Sequence, residues 1–128
     1  MSQPQHPHVR AGTEQGVLVL TFLDKELRDE PQCAMIRQEF HDALTRSGDR
    51  KIVVDFRNVQ FVSSVAFRPL LSLRRLVHDT GARLVLCNLS EMVADVFQAT
   101  RLLASTQAAA APFEAKTDLP SAIAYLNK

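Results

Sequence analysis

The sequence predicts an α/β fold: a mixed, mostly parallel five-stranded sheet with four helices. Three observations lead there. Ile52-Val53-Val54 and Leu84-Val85-Leu86-Cys87 are short, wholly apolar runs, and unbroken runs suit strands covered on both faces, as in parallel sheets. Stretches with helical 3-4 spacing lie between the strand-like runs, and that alternation is what parallel strands with right-handed crossovers require. The length of 128 residues, with 46% hydrophobic residues, is enough for one core and short for two domains.

In order along the chain, residues 1–8 are polar and Pro-rich and are expected to form a disordered leader to a domain over residues 9–128. His6 and His8 in such a tail are expected to be solvated, because a metal site needs more ligands and a shaped cavity. Val17 to Phe22 reads as a strand after a turn-like Gly12 to Gly16, paired in a hairpin with a short strand near His8 to Ala11. Asp24 to Asp29 is a charged loop, and Pro31 suits the first position of a helix. Cys33, Ile36, Phe40, Ala43 and Leu44 form that helix's apolar face, with Arg37, Glu39 and Asp42 elsewhere on the wheel and an end near Ser47-Gly48.

After the Ile52 run, Val65 to Asp79 is helical in pattern. Ala66, Leu70, Leu73 and Val77 form a face with Leu76 beside it, and Gly81 supplies the stop. Ser90 caps a further short helix in which Met92, Val93, Val96 and Phe97 share a side; Met92 and Phe97 are expected in the core. Residues 104–112 read as a connector and Phe113-Glu114-Ala115 as the last strand. Asp118 then caps a final helix with Pro120 in its first turn and Ile123 and Leu126 buried.

Composition narrows the function. Lys and Arg total 15 against 14 Asp and Glu, a net charge of +1, which argues against a nucleic-acid binder with its basic stripe. Trp is absent and Tyr occurs once, so stacking platforms for single strands are missing. No apolar run reaches the ~18 residues of a membrane span, and the N-terminus lacks the apolar stretch of a signal peptide. A cytoplasmic location is the expectation. Cys33 and Cys87 lie in apolar contexts and are expected as buried, reduced thiols; in that compartment the sequon Asn88-Leu89-Ser90 would be inert.

Catalytic signals are thin. The four glycines do not cluster into a phosphate-binding loop. No Cys/His metal spacing and no G-x-S-x-G elbow occur, and His41 and His78 fall on the polar sides of their helices. No catalytic residue, metal or cofactor is expected, and the chain is not read as an enzyme. Asp55 ends a buried strand in the manner of a response-regulator phosphoacceptor. The acidic cluster that such a receiver holds after its first strand is reduced here to Asp24, so Asp55 reads as a strand-end group that bonds nearby backbone.

The informative stretch is Val53 to Phe67. A buried strand leads through a polar turn (Arg57, Asn58) and a small apolar step (Val59, Phe61) to paired serines that open a helix. A serine there is ordinarily an N-cap contributing about 1 kcal/mol, and capping uses only one of the two. The free N–H groups and the positive end of the helix dipole would accommodate an anionic group on the other. Pro69 removes one helical hydrogen bond, crowds the Val65 carbonyl and disfavours helical geometry at Arg68. The first turn is therefore expected to be irregular, or the helix to start later.

This stretch resembles the STAS domain found in anti-sigma factor antagonists. Phe61-Val62-Ser63-Ser64-Val65-Ala66 is similar to the family's aspartate-serine pattern after an apolar pair, with Ser63 in place of the aspartate and Ala66 in place of the glycine. Cys87-Asn88-Leu89-Ser90, Val96-Phe97 and Leu102-Leu103 resemble the family's fourth strand, third helix and following turn. Phe113 and Leu119 to Leu126 resemble its last strand and helix, so the likeness runs roughly from Val9 to Leu126.

The resemblance implies a STAS-like fold and a phosphoacceptor at Ser64, with Ser63 as second choice. It implies a partner-binding surface including Asp24, Arg57, Asn58, Ser63, Ser64, Val65 and Phe67. The implied partners are an anti-sigma factor serine kinase that uses ATP and a serine phosphatase, with a sigma factor freed when the kinase is bound. Two other readings stay open: a non-phosphorylated STAS scaffold subunit in a signalling assembly, and a small-ligand or nucleotide sensor using the helix N-terminus as an anion site.

Overall fold

The computed structural model describes residues 7–100 and 113–128. Its main sheet has five strands in the order β1 (Val9–Glu14), β2 (Val17–Phe22), β4 (Lys51–Asp55), β6 (Arg83–Cys87) and β7 (Glu114–Lys116). β1 is antiparallel to β2 and the remaining neighbours are parallel. The helices are α1 (Glu30–Ser47), α2 (Phe67–Asp79), α3 (Glu91–Ala99) and α4 (Leu119–Leu126). Two short strands that the sequence reading did not anticipate, β3 (Glu26–Leu27) and β5 (Phe61–Val62), pair in parallel as a separate ribbon.

The buried strands supply both faces of the sheet by alternation. Leu18, Leu20, Phe22, Ile52, Val54 and Leu86 face the apolar sides of α1, α2 and α3. Val17, Val19, Val53, Val85 and Cys87 face Ala122, Ile123 and Leu126 of α4. Val53 and Val85, both fully buried, sit opposite each other in the β4–β6 register. The larger core is organised by phenylalanines. Phe40, Phe22, Phe56 and Phe97 form a chain of edge-to-face pairs with ring centroids 5.7, 5.0 and 5.7 Å apart. Phe67 and Phe113 join at Phe97, at 5.1 and 6.1 Å. Six of the seven phenylalanines are thereby accounted for.

Several boundaries differ from the expectation for local reasons. β1 continues to Glu14, so Gly12 lies within the strand, and the hairpin closes on Gln15 and Gly16 alone, with φ of 54° and 78°. Positive φ at both central residues is what a two-residue hairpin turn compatible with strand twist needs. His8 is held to the fold: its backbone N–H donates to the Glu39 carboxylate at 2.9 Å and its ring pairs with Asp24; His6 lies outside the described residues. Asp29 caps α1 by accepting from the Gln32 N–H, with Pro31 in the first turn, and Gly48 ends the helix at φ 67°. Ser90 and Asp118 cap α3 and α4 as expected. Met92, expected in the core, is instead 57% exposed, because the buried side of α3 is narrow and taken by Val93 and Phe97. The expected connector at 104–112 lies outside the described residues.

Candidate functional site

The paired serines lie where the β4–β5 loop meets α2, and the irregular start anticipated from Pro69 is present. Ser64–Ala66 form a single 3-10 turn, and α2 begins only at Phe67. That placement puts Pro69 at the third helical position, where its missing N–H has no intrahelical partner to lose. The expectation of a serine cap does not hold: neither the turn nor α2 is capped by a serine side chain. The two hydroxyls have different fates. Ser63 is half-buried in extended backbone, its N–H donates to the Leu27 carbonyl at 2.9 Å, and its Oγ–H donates to the Arg28 carbonyl at 2.9 Å. Ser64 is exposed at the first position of the turn, and its side chain forms no hydrogen bond among the described residues.

Ser63 is therefore the anchor that ties this turn to the Asp24–Asp29 loop. The Gln60 N–H donates to the Lys25 carbonyl at 2.7 Å, and the β3–β5 ribbon continues the seam. The loop is itself braced by Gln32, which sequence reasoning did not single out. Its amide donates to Asp24 Oδ2 at 2.8 Å and to the Glu26 carbonyl at 2.7 Å, and its Oε1 accepts from the Arg28 N–H at 2.8 Å. Asp24 also takes the His8 ring nitrogen at 2.5 Å. Arg28 lies over the ring of Phe61, 5.8 Å from its centroid. Phe61, read from the sequence as part of an apolar step, is 38% exposed and is the one phenylalanine outside the aromatic chain.

Arg57 and Asn58 belong to a different arrangement, at the carboxyl ends of β2, β4 and β6. Asp55 is the buried charge of the described core, at 0% exposure. Its Oδ1 accepts from the Arg57 backbone N–H and from Asn88 Nδ2, both at 2.9 Å; its Oδ2 accepts from Arg57 Nε and Nη2, both at 2.7 Å. The hydrogen bond to Asp55, and then its charge, raise the Arg57 pKa above the usual guanidinium value. Asn58 Nδ2 donates to the Phe22 carbonyl at 2.9 Å. The expected backbone bond of Asp55 is thus present, but the ion pair with Arg57 and the link to Asn88 carry most of the arrangement. Asn88 holds a left-handed backbone, φ 58°, just after β6. An Asn after a strand end is the visible signal that could have found it.

Phe67, expected in the partner surface, is a core residue: it is 7% exposed and edge-on to Phe97. Val65 is half-buried and lines a depression of about 230 Å³ between the starts of α1 and α2, with Glu30, Cys33, Arg37 and Arg68 around it. Burial, then the charges of Asp29 and Glu30, push the Cys33 thiol up from its ordinary value. Burial, then Asp55, push Cys87 up to about 12. Both are free thiols buried in the fold, and the upward shifts favour the neutral thiol over the reactive thiolate. Among the described residues no group of three or more His, Cys, Asp or Glu side chains could hold a metal ion, and no helix is long and apolar enough to cross a membrane.

With this geometry in place, comparison with known proteins is informative. The BtrV protein of Bordetella bronchiseptica, named as an anti-sigma factor antagonist, is 34% identical over 79 residues, spanning 57% of this chain and 66% of that protein. An anti-sigma factor antagonist from Mycobacterium paratuberculosis superposes with a TM-score of 0.77 at 15% identity, over 94% of this chain and 93% of that one. SpoIIAA in its unphosphorylated form superposes with a TM-score of 0.69 at 20% identity, over 93% and 96% of the two chains. Its phosphorylated form, described as the Bacillus cell fate determinant, gives 0.62 at 19%, over 91% and 97%. These likenesses establish a shared fold, and the STAS domain profile matches residues 13–116. Spanning most of the sequence, from the end of β1 through β7, that match makes this chain a member of the STAS domain family.

Proposed function

We propose that this chain is an anti-sigma factor antagonist that binds an anti-sigma factor with serine-kinase activity and so frees a sigma factor. In this reading the kinase transfers the γ-phosphoryl group of ATP to the Ser64 hydroxyl, releasing ADP and the hydroxyl proton, and a serine phosphatase reverses the step by hydrolysis. Ser63 is the second choice of acceptor. The chain is substrate and switch rather than enzyme, acts in the cytoplasm, and needs no cofactor of its own.

The observation that carries the reading is the contrast between adjacent hydroxyls: Ser63 Oγ is committed to the Arg28 carbonyl, whereas Ser64 is exposed and uncommitted among the described residues. The names of BtrV and of SpoIIAA, the latter known with and without its phosphate, point the same way. The proposed partner surface takes in Asp24, Arg57, Asn58, Ser63, Ser64 and Val65, with Phe67 supporting it from the core. A phosphoryl group adds about two negative charges. Burying it against a partner without a matching cation costs several kcal/mol, and each 1.4 kcal/mol is tenfold in affinity.

Phosphate mapping of the chain purified from its host, and titration of variants against the serine kinase that co-purifies with it, test this reading. Ser64→Ala is expected to bind and resist phosphorylation, Ser64→Asp to bind at least ~10-fold more weakly, and Ser63→Ala to alter both properties less. If Ser64→Asp binds as tightly as wild type and phosphate never appears on Ser64, the switch fails and the scaffold reading replaces it. Phosphate on Ser63 instead would move the switch by one residue.

A further inference from the structure

Arg68 stands four residues beyond Ser64 on a continuous right-handed path. The 3-10 turn runs into Ala66 (φ −67°, ψ −20°) and Phe67 (φ −71°, ψ −25°), and α2 follows. Residues four apart are neighbours on one face of an α-helix. The tighter 3-10 turn at Ser64–Ala66 swings Ser64 part of a face away from Arg68, an offset the long, flexible arginine side chain can span, and both residues are exposed. The ion pair of Arg68 is a loose one: its Nη1 lies 3.7 Å from Glu30 Oε1, and both side chains are largely in solvent. A well-formed guanidinium–carboxylate bond is about 2.7–2.9 Å long, so Arg68 is not firmly committed to Glu30. Arg68 and Glu30 also stand at the rim of the depression between α1 and α2, with Arg37 adding a second cation and Val65 and Pro69 its apolar wall.

We propose that Arg68 is the intramolecular receiver of a phosphoryl group on Ser64: on phosphorylation it leaves Glu30 and pairs with the phosphate. The exchange favours the phosphate because its roughly two charges and three acceptor oxygens outmatch one exposed carboxylate, and because the guanidinium fork engages phosphate with two parallel bonds. The consequence goes beyond added charge. Glu30 loses its cation while a dianion gains one, so the rim between α1 and α2 is rearranged and its α1 side becomes more negative. This deepens the proposed switch and rests on Ser64 being its site.

The test does not need the kinase. Phosphoserine is installed at position 64 by genetic encoding, and the phosphate's second ionisation is followed by phosphorus NMR as pH is varied, with circular dichroism confirming the fold of each variant. The phosphate is expected to titrate about 0.3 pH units lower with Arg68 present than in Arg68→Ala, the size expected of an exposed pair of this spacing. Arg68→Lys should fall between, and Glu30→Gln should lower the value further by removing the competing carboxylate. Identical titrations for Arg68 and Arg68→Ala, or no response to Glu30→Gln, overturn the proposal. Failure of the host kinase to mark Ser64 would defeat the functional reading instead, and the two failures are read from separate experiments.

Discussion

Replacing Asp55 by Asn keeps the shape of the side chain and removes its charge. The carboxylate is fully buried and accepts four bonds, two of them from the Arg57 fork at 2.7 Å. An amide in its place can still accept from the Arg57 N–H and from Asn88 through its oxygen, but it turns an NH2 group toward two N–H donors. Each lost charge-assisted bond contributes about 1.5–3 kcal/mol. Two terms offset the loss: a neutral amide is less costly to bury, and Arg57, whose side chain is 52% exposed, can turn into water. The net cost is expected near ~3 kcal/mol, the low end of what breaking one partner of a buried pair causes. For a chain of this size that corresponds to a fall of roughly 10 °C in Tm. Urea unfolding followed by far-UV circular dichroism is the assay, since there is no Trp to report by fluorescence. Arg57→Ala and the double variant complete a cycle, with a coupling energy above ~1 kcal/mol expected for groups in direct contact. A coupling near zero, or an Asp55→Asn midpoint equal to wild type, would refute the assignment of this pair as the tie that fixes the start of the β4–β5 loop.

Phe97, at the junction of three ring contacts, should cost about 3–5 kcal/mol when cut to Ala, whereas exposed Phe61→Ala should cost under ~1 kcal/mol; similar midpoints for the two would show the aromatic chain misassigned. The raised Cys87 pKa makes a pH prediction: the thiol ionises near 9.0 when unfolded and at about 12 when folded. Its contribution is full below pH 9.0 and is lost as pH rises through about 12, with a slope of at most ~1.4 kcal/mol per pH unit. Stability that stays flat across this range in wild type would contradict it. Native protein at pH ~8 should also leave both thiols unreacted with a disulfide reagent, and urea should release both.

Much of the fold was legible because its signals are local. The unbroken runs at Ile52 and Leu84 did mark strands covered on both faces, and Asp118, Ser90 and Gly48 did mark helix ends. What was not legible depends on partners distant in sequence. The β3–β5 ribbon joins residues 35 apart, with no more than two residues per strand and no period to read. Met92 and Phe97 look alike as apolar residues of one short helix, and only the packing of α3 against the sheet separates them. At the site, the serine pair and the late start of α2 were visible from Ser63, Ser64 and Pro69. The role of Gln32 was not, because an amide at a helix start acquires meaning only when Asp24 is brought to it, and the place of Asn88 after a strand end marks the residue but not its partner Asp55, 33 residues away.

The resemblance of Phe61 to Ala66 to the family pattern sets Ser63 against an aspartate, and the structure gives the serine a physical use of its own. A hydroxyl donates to the Arg28 carbonyl, as Ser63 does at 2.9 Å; an ionised carboxylate has no proton to give. Ser63→Asp would therefore lose a bond of about 0.5–1.5 kcal/mol and bring a negative oxygen toward a carbonyl. The carboxylate has an alternative, since Ser63 occupies the cap position of the 3-10 turn with extended backbone and its side chain does not cap. Turned toward the turn, it would gain about 1 kcal/mol as a cap, with a favourable dipole term. The two effects nearly cancel in global stability, so the unfolding midpoint is expected to move by less than ~1 kcal/mol. They do not cancel locally, because one joined the Asp24–Asp29 loop to the serine turn and the other does not. Amide exchange at Ser63, whose N–H donates to Leu27 in that seam, should accelerate severalfold while exchange in β4 and β6 stays as in wild type. If exchange at Ser63 is unchanged in Ser63→Asp, its hydroxyl is not what holds the loop to the turn.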